Sequence, residues 1–432
     1  MSGWSVILEG FIVEKQDSQR AVPGVLHPIH ALGKRNESRA VPIVEKRFFI
    51  YTASYMDSIL EGLRKIFSGL LGTKKDNIAV GIDIGTSSIK VVQLKKENGK
   101  AVLDTYGALA LGQYDPSHGL VGQVTNLEPE VLAKALTDVL TETHITSQNI
   151  VLGLPSVSCI IFILQLPAEI EEKDLGTVIP NEAKKFIPVP ITDVSLDWYI
   201  IPRREDSGVE SRVLAESGGE ARMSILVVAT LNETLVKYTT ILQKAGLPMD
   251  SLEIEVFSHI RSVLTRELFP VMIADIGASK TKLTIVEHGV VETFRLVNKG
   301  SQDMTLAIAH SLEVAFDKAE TIKKENGLVV TPEHPHVPDL LKVHLADIFQ
   351  EMNSTILAYE KRYNKNIGKI IFTGGGAMTK GLLEYAKQSF AAELVVADPF
   401  SKVDAPVFLG GVLKTTGPEF SVAVGLALKL LQ

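Results

Sequence analysis

The strongest constraint on the fold is a short motif that occurs twice in the chain. Residues 80–90 (VGIDIGTSSIK) and residues 272–282 (MIADIGASKTK) align without a gap, and Asp, Ile, Gly, Ser and Lys fall in the same places. Each copy has an apolar run, a turn of small residues and a second strand-like run, which indicates a β-hairpin. The two copies lie much further apart than the units of a solenoid. The motif therefore predicts two related domains, each of which opens with a hairpin.

The chain around these motifs alternates strand-like and helix-like segments, which is typical of α/β layers. Its 432 residues are also more than one hydrophobic core usually organises. A segment rich in Glu, Ser and Gly at 203–223 predicts an exposed loop. The predicted strands are 78–84, 89–95, 101–110, 150–154, 159–166, 193–201, 224–230 and 369–372, and the predicted helices are 129–145, 232–246, 302–326, 339–361 and 379–389.

The first 76 residues differ from the rest of the chain. Residues 1–55 show no sustained periodicity and lack the apolar core of a signal peptide. One hypothesis is that they are an N-terminal extension outside the native protein, with Met56 as the biological start, and the alternative that they belong to the native protein stays open. Residues 56–76 predict an amphipathic helix at 57–71 and a linker. Two interpretations of this helix stay open: attachment to a membrane surface or a partner, and packing on its own domain.

Charge and cysteine content exclude several classes of protein. The 44 Lys and Arg residues against 51 Asp and Glu residues give a net charge of −7, whereas a large nucleic-acid interface needs a basic surface. The single cysteine, Cys159, excludes an internal disulfide and a zinc site made of cysteines, and fits a reducing cytoplasm. The segment 150–168 carries no charge, but Pro155 and Pro167 bracket its β-branched run. This pattern predicts a buried strand rather than a membrane span.

The turn of each hairpin carries groups that suit a phosphate. Glycine permits close backbone approach, so the N–H groups that follow it can point at phosphate oxygens. The aspartate at the strand end can hold Mg²⁺ or its waters, and the lysine offsets charge. Two such hairpins facing each other would clamp the phosphates of a nucleotide. The candidate phosphate-binding residues are Gly85, Thr86, Ser87, Ser88, Lys90, Gly277, Ala278, Ser279, Lys280 and Thr281, and the candidate catalytic and metal-binding residues are Asp83 and Asp275.

A third motif follows the predicted strand at 369–372. Its residues are Gly374, Gly375, Gly376 and Ala377. Three glycines at a strand-to-helix turn let a flat base or a ribose lie against the backbone, and the alternative is a tight turn required by packing. The chain has neither the P-loop motif nor the glycine pattern of a Rossmann fold.

These three motifs, in this order, resemble those of the actin-like ATPase superfamily. Within it the chain resembles the PilM family of type IV pilus assembly proteins, over about residues 79–432. The segments that carry the closer resemblance are Phe186-Ile187-Pro188-Val189-Pro190, the run from Asp193 to Trp198, Gly153-Leu154-Pro155, residues 319–323 and residues 421–429.

The resemblance implies a fold. It is the α/β, actin-like (ribonuclease H-like) fold, duplicated into two domains and related to the division protein FtsA. Domain 1 would cover 77–270, with an extra subdomain inserted at about 156–222. Domain 2 would cover 271–417, and residues 418–432 would return to domain 1.

The resemblance also implies roles for further residues. The turn at 374–377 would contact the adenosine of ATP, and Glu320 and Lys323 would contact its ribose and base. Without the resemblance, that pair would be interpreted as a solvated pair on one helix face. Glu255 would orient the water that attacks ATP, with Glu253 as the alternative.

The function implied is that of a cytoplasmic scaffold at the inner face of the membrane. It would bind ATP and Mg²⁺, hydrolyse ATP slowly at most, and grip the cytoplasmic N-terminal peptide of a PilN-like membrane protein. Other pilus assembly proteins would be further partners, and nucleic acid would not be a partner. The protein would contact the membrane only indirectly, through its partners. Two other functions stay open: an FtsA-like cytoskeletal protein tethered to the membrane, and a phosphotransferase of the sugar-kinase type.

Overall fold

The computed structural model describes residues 5–8, 11–14, 77–115, 122–202, 222–248, 251–265 and 267–431, with the backbone alone for the first two segments. Strands β1 (Ser5–Leu8) and β2 (Phe11–Glu14) pair antiparallel. The rest of the predicted extension, the predicted helix at 57–71 and most of the predicted loop at 203–223 lie outside the described residues.

The first sheet is built around the first copy of the motif. Strands β3 (Ile78–Ile84) and β4 (Ser88–Glu97) form the predicted hairpin, and β5 (Lys100–Ala110) continues it antiparallel. Strand β6 (Ile150–Leu154) lies parallel to β3, and β10 (Leu252–Ile254) lies parallel to β6. The order is therefore β10-β6-β3-β4-β5. All five residues of β6 are buried, as expected for a strand that helices cover on both faces.

The second sheet repeats this topology around the second copy of the motif. Strands β11 (Val271–Ile276), β12 (Thr281–Glu287) and β13 (Val290–Val297) form an antiparallel meander. Strand β14 (Lys369–Thr373) then lies parallel to β11, and β15 (Glu393–Val396) lies parallel to β14. The order β13-β12-β11-β14-β15 matches that of the first sheet, strand for strand. Both predicted hairpins and the duplication are confirmed.

Helices cover the two sheets and join their strands. They are α1 (Pro129–Glu142), α2 (Leu175–Ala183), α3 (Asn232–Lys244), α4 (Glu255–Val263), α5 (Ser301–Leu312), α6 (Phe316–Asn326), α7 (Val337–Tyr363), α8 (Leu382–Ala386), α9 (Gly410–Thr416) and α10 (Ser421–Leu431).

The C-terminal helix α10 packs on the first sheet, although it follows the second sheet in the chain. It lies against β3 and α4, and eight of its 11 residues are buried. Gly81 of β3 allows this contact, because a Cβ there would lie 1.9 Å from the carbonyl oxygen of Ala423. Residue 81 therefore has a packing role that is separate from the turn of the hairpin.

A third, smaller sheet is inserted between β6 and β10. It contains β7 (Cys159–Pro167), β8 (Val194–Ile201) and β9 (Arg222–Leu231), all antiparallel, in the order β7-β9-β8. Helix α2 contributes Leu175 and Ile179 to a core that this sheet shares with no other sheet. We call β7, β8 and β9 the inserted sheet.

Two predicted helices were wrong in extent. The helix predicted at 302–326 is two helices, α5 and α6, because Glu313 adopts φ 52° and ends α5 in the left-handed region. The helix predicted at 379–389 is only α8, since the chain first turns through a short 3₁₀ helix at Gly375–Met378.

The uncharged segment at 150–168 forms β6 and β7, as predicted. In the described segments no helix is both long and apolar enough to cross a membrane.

Candidate functional site

Asp83 and Asp275 occupy equivalent places in the two sheets. Each is the last residue but one of its strand, β3 or β11. Each also faces a lysine across its hairpin, Asp83 in register with Lys90 and Asp275 with Lys282. The topology thus presents the same acid–lysine pair at the same end of both sheets.

The two pairs share one electrostatic environment. Asp83 is partly exposed, yet desolvation by the protein around it raises its pKa to about 6, against the opposing effect of Lys90. Glu255 and Asp275 raise the pKa of Asp83 further, while Lys282 lowers it. Charged groups of both hairpins and of Glu255 therefore act on the same carboxylate, Asp83.

Lys282 connects carboxylates from both sides of the site. Its Nζ lies 3.0 Å from Asp275 Oδ2 and 2.9 Å from Oε1 of Glu255, the first residue of α4. Burial works to raise the pKa of Asp275, but Lys282 and His259 outweigh it and hold that pKa below its usual range. Burial likewise disfavours the charged lysine, yet the two carboxylates raise the pKa of Lys282 above its ordinary value. Lys282 is therefore charged at neutral pH.

The structure separates the two candidates for the water-orienting acid. Glu253 is enclosed within the first domain, where Arg261 lies 2.6 Å and Lys429 2.9 Å from its carboxylate oxygens. Glu255 instead contacts Lys282 of the second sheet and accepts the backbone N–H of Ser156 at 2.7 Å. Glu255 is thus the acid that faces the second sheet.

The two hairpin turns close in the same way. The N–H of Gly85 donates to the carbonyl oxygen of Ser88 at 3.0 Å, and the N–H of Gly277 donates to that of Lys280, also at 3.0 Å. Lys90 Nζ donates to Ser88 Oγ at 2.8 Å. The turns 85–88 and 277–280 therefore present similar backbone surfaces.

The remaining predicted hairpin residues divide into two groups. Thr86 is exposed, and Ser87, Ala278 and Ser279 are partly exposed on the turns. Thr281 is fully buried, and its hydroxyl donates to the carbonyl oxygen of Lys299 at 2.9 Å. The structure therefore does not bring the Thr281 hydroxyl to the surface of the turn.

The glycine turn after β14 lies directly against the second hairpin. Gly374 has φ +80°, and a Cβ there would lie 2.3 Å from Asp275 Oδ1. A Cβ on Gly376 would lie 2.2 Å from a side-chain carbon of Ile276. Packing thus accounts for two of the three glycines, whereas a Cβ on Gly375 would lie no nearer than 3.8 Å to its closest neighbour, a side-chain carbon of Glu419. Ala377 is buried.

Glu320 and Lys323 form a buried pair. Lys323 Nζ lies 2.7 Å from Glu320 Oε2, which also accepts the hydroxyl of Thr305 at 2.6 Å. Burial works to raise the pKa of Glu320, but Lys323 and this hydroxyl outweigh it and lower that pKa. The interpretation as a solvated surface pair was therefore wrong. Gly122 approaches the pair as well, since a Cβ on Gly122 would lie 3.3 Å from the Glu320 carboxyl carbon.

The donor set suits Mg²⁺ bound through water and phosphate. Within the described residues, no group of three or more His, Cys, Asp and Glu side chains is placed to hold a metal by itself. Asp83 and Asp275 supply hard carboxylate oxygens, and Mg²⁺ commonly binds one or two carboxylates while phosphates and waters complete its shell. These two residues fit such an ion.

Sequence reasoning missed Lys282, although the repeat contained the signal. Lys90 of the first copy is among the predicted phosphate-binding residues, and Lys282 stands at the same place in the second copy. It also missed His259, whose Nε2 lies 4.0 Å from Asp275 Oδ2 and whose pKa burial lowers. Neither His259 nor the backbone of Ser156 carries a sequence signal, because tertiary contacts alone bring them to the site.

The fold and the site together define an actin-like protein: two sheets of one topology, each with an aspartate at the strand end of its first hairpin. The chain belongs to the family of the type IV pilus assembly protein PilM, whose family model matches residues 81–431. The predicted family and fold class are confirmed.

Relatives agree with this assignment. Cell division protein FtsA of Neisseria meningitidis serogroup B is 25% identical over 381 residues, which cover 80% of this chain and 88% of FtsA. FtsA of Borreliella burgdorferi is 24% identical over 391 residues, covering 82% and 90%. Among solved structures, the PilM-PilN type IV pilus biogenesis complex has a TM-score of 0.69 and 23% identity, covering 83% of this chain and 100% of that chain.

Proposed function

We propose that the protein is an ATP-binding scaffold of the inner-membrane complex that assembles type IV pili. The observation that carries this proposal is the equivalent placement of Asp83 and Asp275 in the two hairpins, with Lys282 joining Asp275 to Glu255 of α4. In a chain of the PilM family, this arrangement supports a nucleotide clamped between the two sheets.

The nucleotide would lie with its phosphates between the turns 85–88 and 277–280. Asp83 and Asp275 would hold Mg²⁺, which neutralises and orients the phosphates when bound. The adenosine would lie on the surface of the turn at 374–377, with Glu320 and Lys323 beside the ribose and base. The buried, hydrogen-bonded pair of Glu320 and Lys323 supports this role, because it presents fixed donors and acceptors rather than solvated side chains.

Hydrolysis would be slow. Phosphoryl transfer depends on positioning and charge stabilisation, so a site can hold ATP without turning it over. Lys282 Nζ and the Ser156 N–H both contact Oε1 of Glu255, so this oxygen already has two partners in the protein. ATP would act mainly by biasing the conformation that binds the partner.

The partner would be the cytoplasmic N-terminal peptide of a PilN-like membrane protein, held between the first sheet and the inserted sheet. Two exposed apolar residues of the inserted region support this interface: Phe186, which is 49% exposed, and Val157, which is 40% exposed. Phe186 stacks on Phe162 with ring centroids 4.8 Å apart, so the two rings form one apolar surface. Such surfaces mark interaction sites. The protein would then work in the cytoplasm, at the membrane through this partner.

Calorimetric titration of ATP in MgCl₂ tests the nucleotide site. We expect the full chain to bind ATP, and Asp83→Ala to bind it at least about tenfold more weakly. Asp339→Ala, an exposed acid of the second domain, is the matched control and should bind as the wild type does. Unchanged affinity in Asp83→Ala would reject this site.

A fluorescent peptide with the cytoplasmic N-terminal sequence of the PilN-like protein from the same genome tests the scaffold role. Its anisotropy should rise on titration with the protein, and its affinity should differ between buffers with and without ATP. Absence of binding in both buffers would reject the scaffold. The similarity to FtsA favours one other candidate, a filament-forming protein, which sedimentation of ATP-dependent polymers would reveal.

A further inference from the structure

Two neighbouring apolar side chains lie exposed on the loop at 404–411, which follows the second sheet in the chain. Val407 is 96% exposed and Phe408 is 73% exposed, and in the described part of the chain no large apolar side chain is more exposed than Val407. The next residue, Leu409, is buried in the core beside α10 and anchors the loop. Adjacent exposed apolar side chains of this kind mark an interaction surface. We call Val407 and Phe408 the apolar pair.

The apolar pair lies near the point where the described chain enters the first sheet. The N–H of Asp404, which precedes the pair on the same loop, donates to the carbonyl oxygen of Ala101 in β5 at 2.8 Å. Ala101 is in register with Lys96 of β4, and the N–H of Lys96 donates to the carbonyl oxygen of Asn77 at 2.7 Å. These residues therefore form a row across one end of the sheet, from Asn77 through β4 and β5 to Asp404.

This row sets the distance that a segment before Asn77 must cover. Neighbouring strands lie about 4.8 Å apart, so Asn77 and Asp404 are about 14 Å apart. Residues 72–76 reach about 17 Å when extended. The helix predicted at 57–71, which lies outside the described residues, would add about 22 Å of its own length. Residues 57–71 can therefore reach the apolar pair through a short linker.

The sequence of residues 57–71 suits an apolar surface rather than a charged one. Its two basic residues, Arg64 and Lys65, are offset by two acids, so the segment has no net charge of its own to attract an anionic membrane. Docking on the protein would cover the apolar face of the helix and leave its polar face in water. The apolar positions of the predicted helix are Ile59, Leu63, Ile66, Phe67 and Leu70.

We propose that residues 57–71 form an amphipathic helix that docks on the apolar pair of the same chain. Phe408 is the anchor of this contact, because an aromatic side chain buries a large apolar area. The docking site is separate from the proposed partner surface at Phe186, and it does not depend on the binding of ATP. Of the two interpretations of the predicted helix, the apolar pair supports packing on its own domain.

Hydrogen exchange of the full chain, followed by mass spectrometry, tests the docking. The amides of residues 57–71 should exchange at least about tenfold faster in Phe408→Asp than in the wild type, because a charge at this position removes the burial of one aromatic side chain. Val343→Asp, at a side chain that is 64% exposed on α7, is the matched control and should leave this exchange unchanged. Equal exchange in the wild type and Phe408→Asp would overturn the docking.

Disulfide formation tests the same contact by its geometry. The double variant Phe67→Cys and Val407→Cys should form a bridge within one chain under mild oxidation, whereas Phe67→Cys with Val343→Cys should not. The native Cys159 is buried and does not compete for the bridge. Bridges that form only between chains would assign the apolar pair to a second copy of the protein and would overturn the proposal.

Flotation with vesicles of phosphatidylcholine and phosphatidylglycerol tests the membrane as the other occupant. A docked helix has its apolar face covered, so the full chain should stay at the bottom of the gradient when the vesicles rise. Flotation of the wild type with the vesicles would show that lipid covers the apolar side chains of residues 57–71, and the docking on Phe408 would be rejected.

Discussion

Oε1 of Glu255 accepts the backbone N–H of Ser156 at 2.7 Å, and this bond ties the first turn of α4 to the segment that leads into the inserted sheet. The same oxygen lies 2.9 Å from Lys282 Nζ on the second sheet. Glu255 therefore touches three parts of the molecule at once: α4, the entry to the inserted sheet and the second hairpin. In the proposed function, Glu255 would therefore join the region of the partner surface to that of the nucleotide.

The substitution Glu255→Gln removes the negative charge of this side chain but keeps its shape, and so tests the role of the charge alone. The amide oxygen still accepts the Ser156 N–H, but the negative charge beside the phosphates is lost. We expect ATP to bind about threefold to tenfold more tightly, because repulsion between two anions is removed at low local dielectric. Phosphate release should fall by at least about tenfold, since the proposed water-orienting carboxylate is gone.

Calorimetry and a phosphate-release assay check these two effects on the same preparation. Glu233→Gln is the matched control, because Glu233 also lies in the first turn of a helix, α3, but is exposed. If Glu255→Gln hydrolysed ATP at the wild-type rate, Glu255 would have no role in orienting water.

Glu253→Gln should lower stability rather than binding. It leaves the buried guanidinium of Arg261 without its charge partner, and breaking such a pair costs about 3 kcal/mol. Urea unfolding followed by circular dichroism measures this loss, and Asp339→Asn on the exposed surface should show no measurable change. Equal midpoints for the wild type and Glu253→Gln would contradict the assigned role.

The stability difference between the wild type and Glu253→Gln should depend on pH. Burial works to raise the pKa of Glu253, but Arg261 and Lys429 outweigh it and lower that pKa below the ordinary 4.5. The unfolded chain therefore binds the proton more readily than the folded protein. The difference is full above pH 4.5 and shrinks as the pH falls below it, which unfolding curves between pH 7 and pH 4 would show.

Lys323→Met tests recognition of the nucleoside. Lys323 is buried and paired with Glu320, whereas Lys324, its neighbour in the chain, is 66% exposed. We expect Lys323→Met to weaken ATP binding by about tenfold, as the loss of a charge-assisted hydrogen bond does. Binding of inorganic triphosphate, which has neither ribose nor base, should stay unchanged. Lys324→Met is the control, and an equal loss for ATP and triphosphate would place Lys323 at the phosphates instead.

The repeat made most of this fold predictable. Asp83 and Asp275 could be paired from the sequence because local hairpin chemistry places them at equivalent strand ends. The break after Leu312 was not predictable, since the apolar pattern continues across Glu313 and only its positive φ ends the helix. The contacts of Lys282 and Ser156 with Glu255 were also out of reach, because they join segments far apart in the chain. The periodicity of the sequence predicts helices and strands, whereas contacts between distant side chains follow from how the sheets pack.

Phe186→Ser tests the partner surface. Phe186 is 49% exposed and stacks on Phe162 at 4.8 Å with an interplanar angle of 18°, so it presents a fixed aromatic face at little entropic cost. Exposed aromatic anchors carry a large share of binding energy at interfaces. Truncation should therefore weaken binding of the PilN-like peptide by about tenfold or more, measured by anisotropy. Val343→Ser is the control, because Val343 is 64% exposed on α7, which packs on the second sheet. Equal peptide affinities in the two variants would show that the partner does not bind at Phe186. An unchanged ATP affinity in Phe186→Ser would show that the substitution weakens only the binding of the peptide.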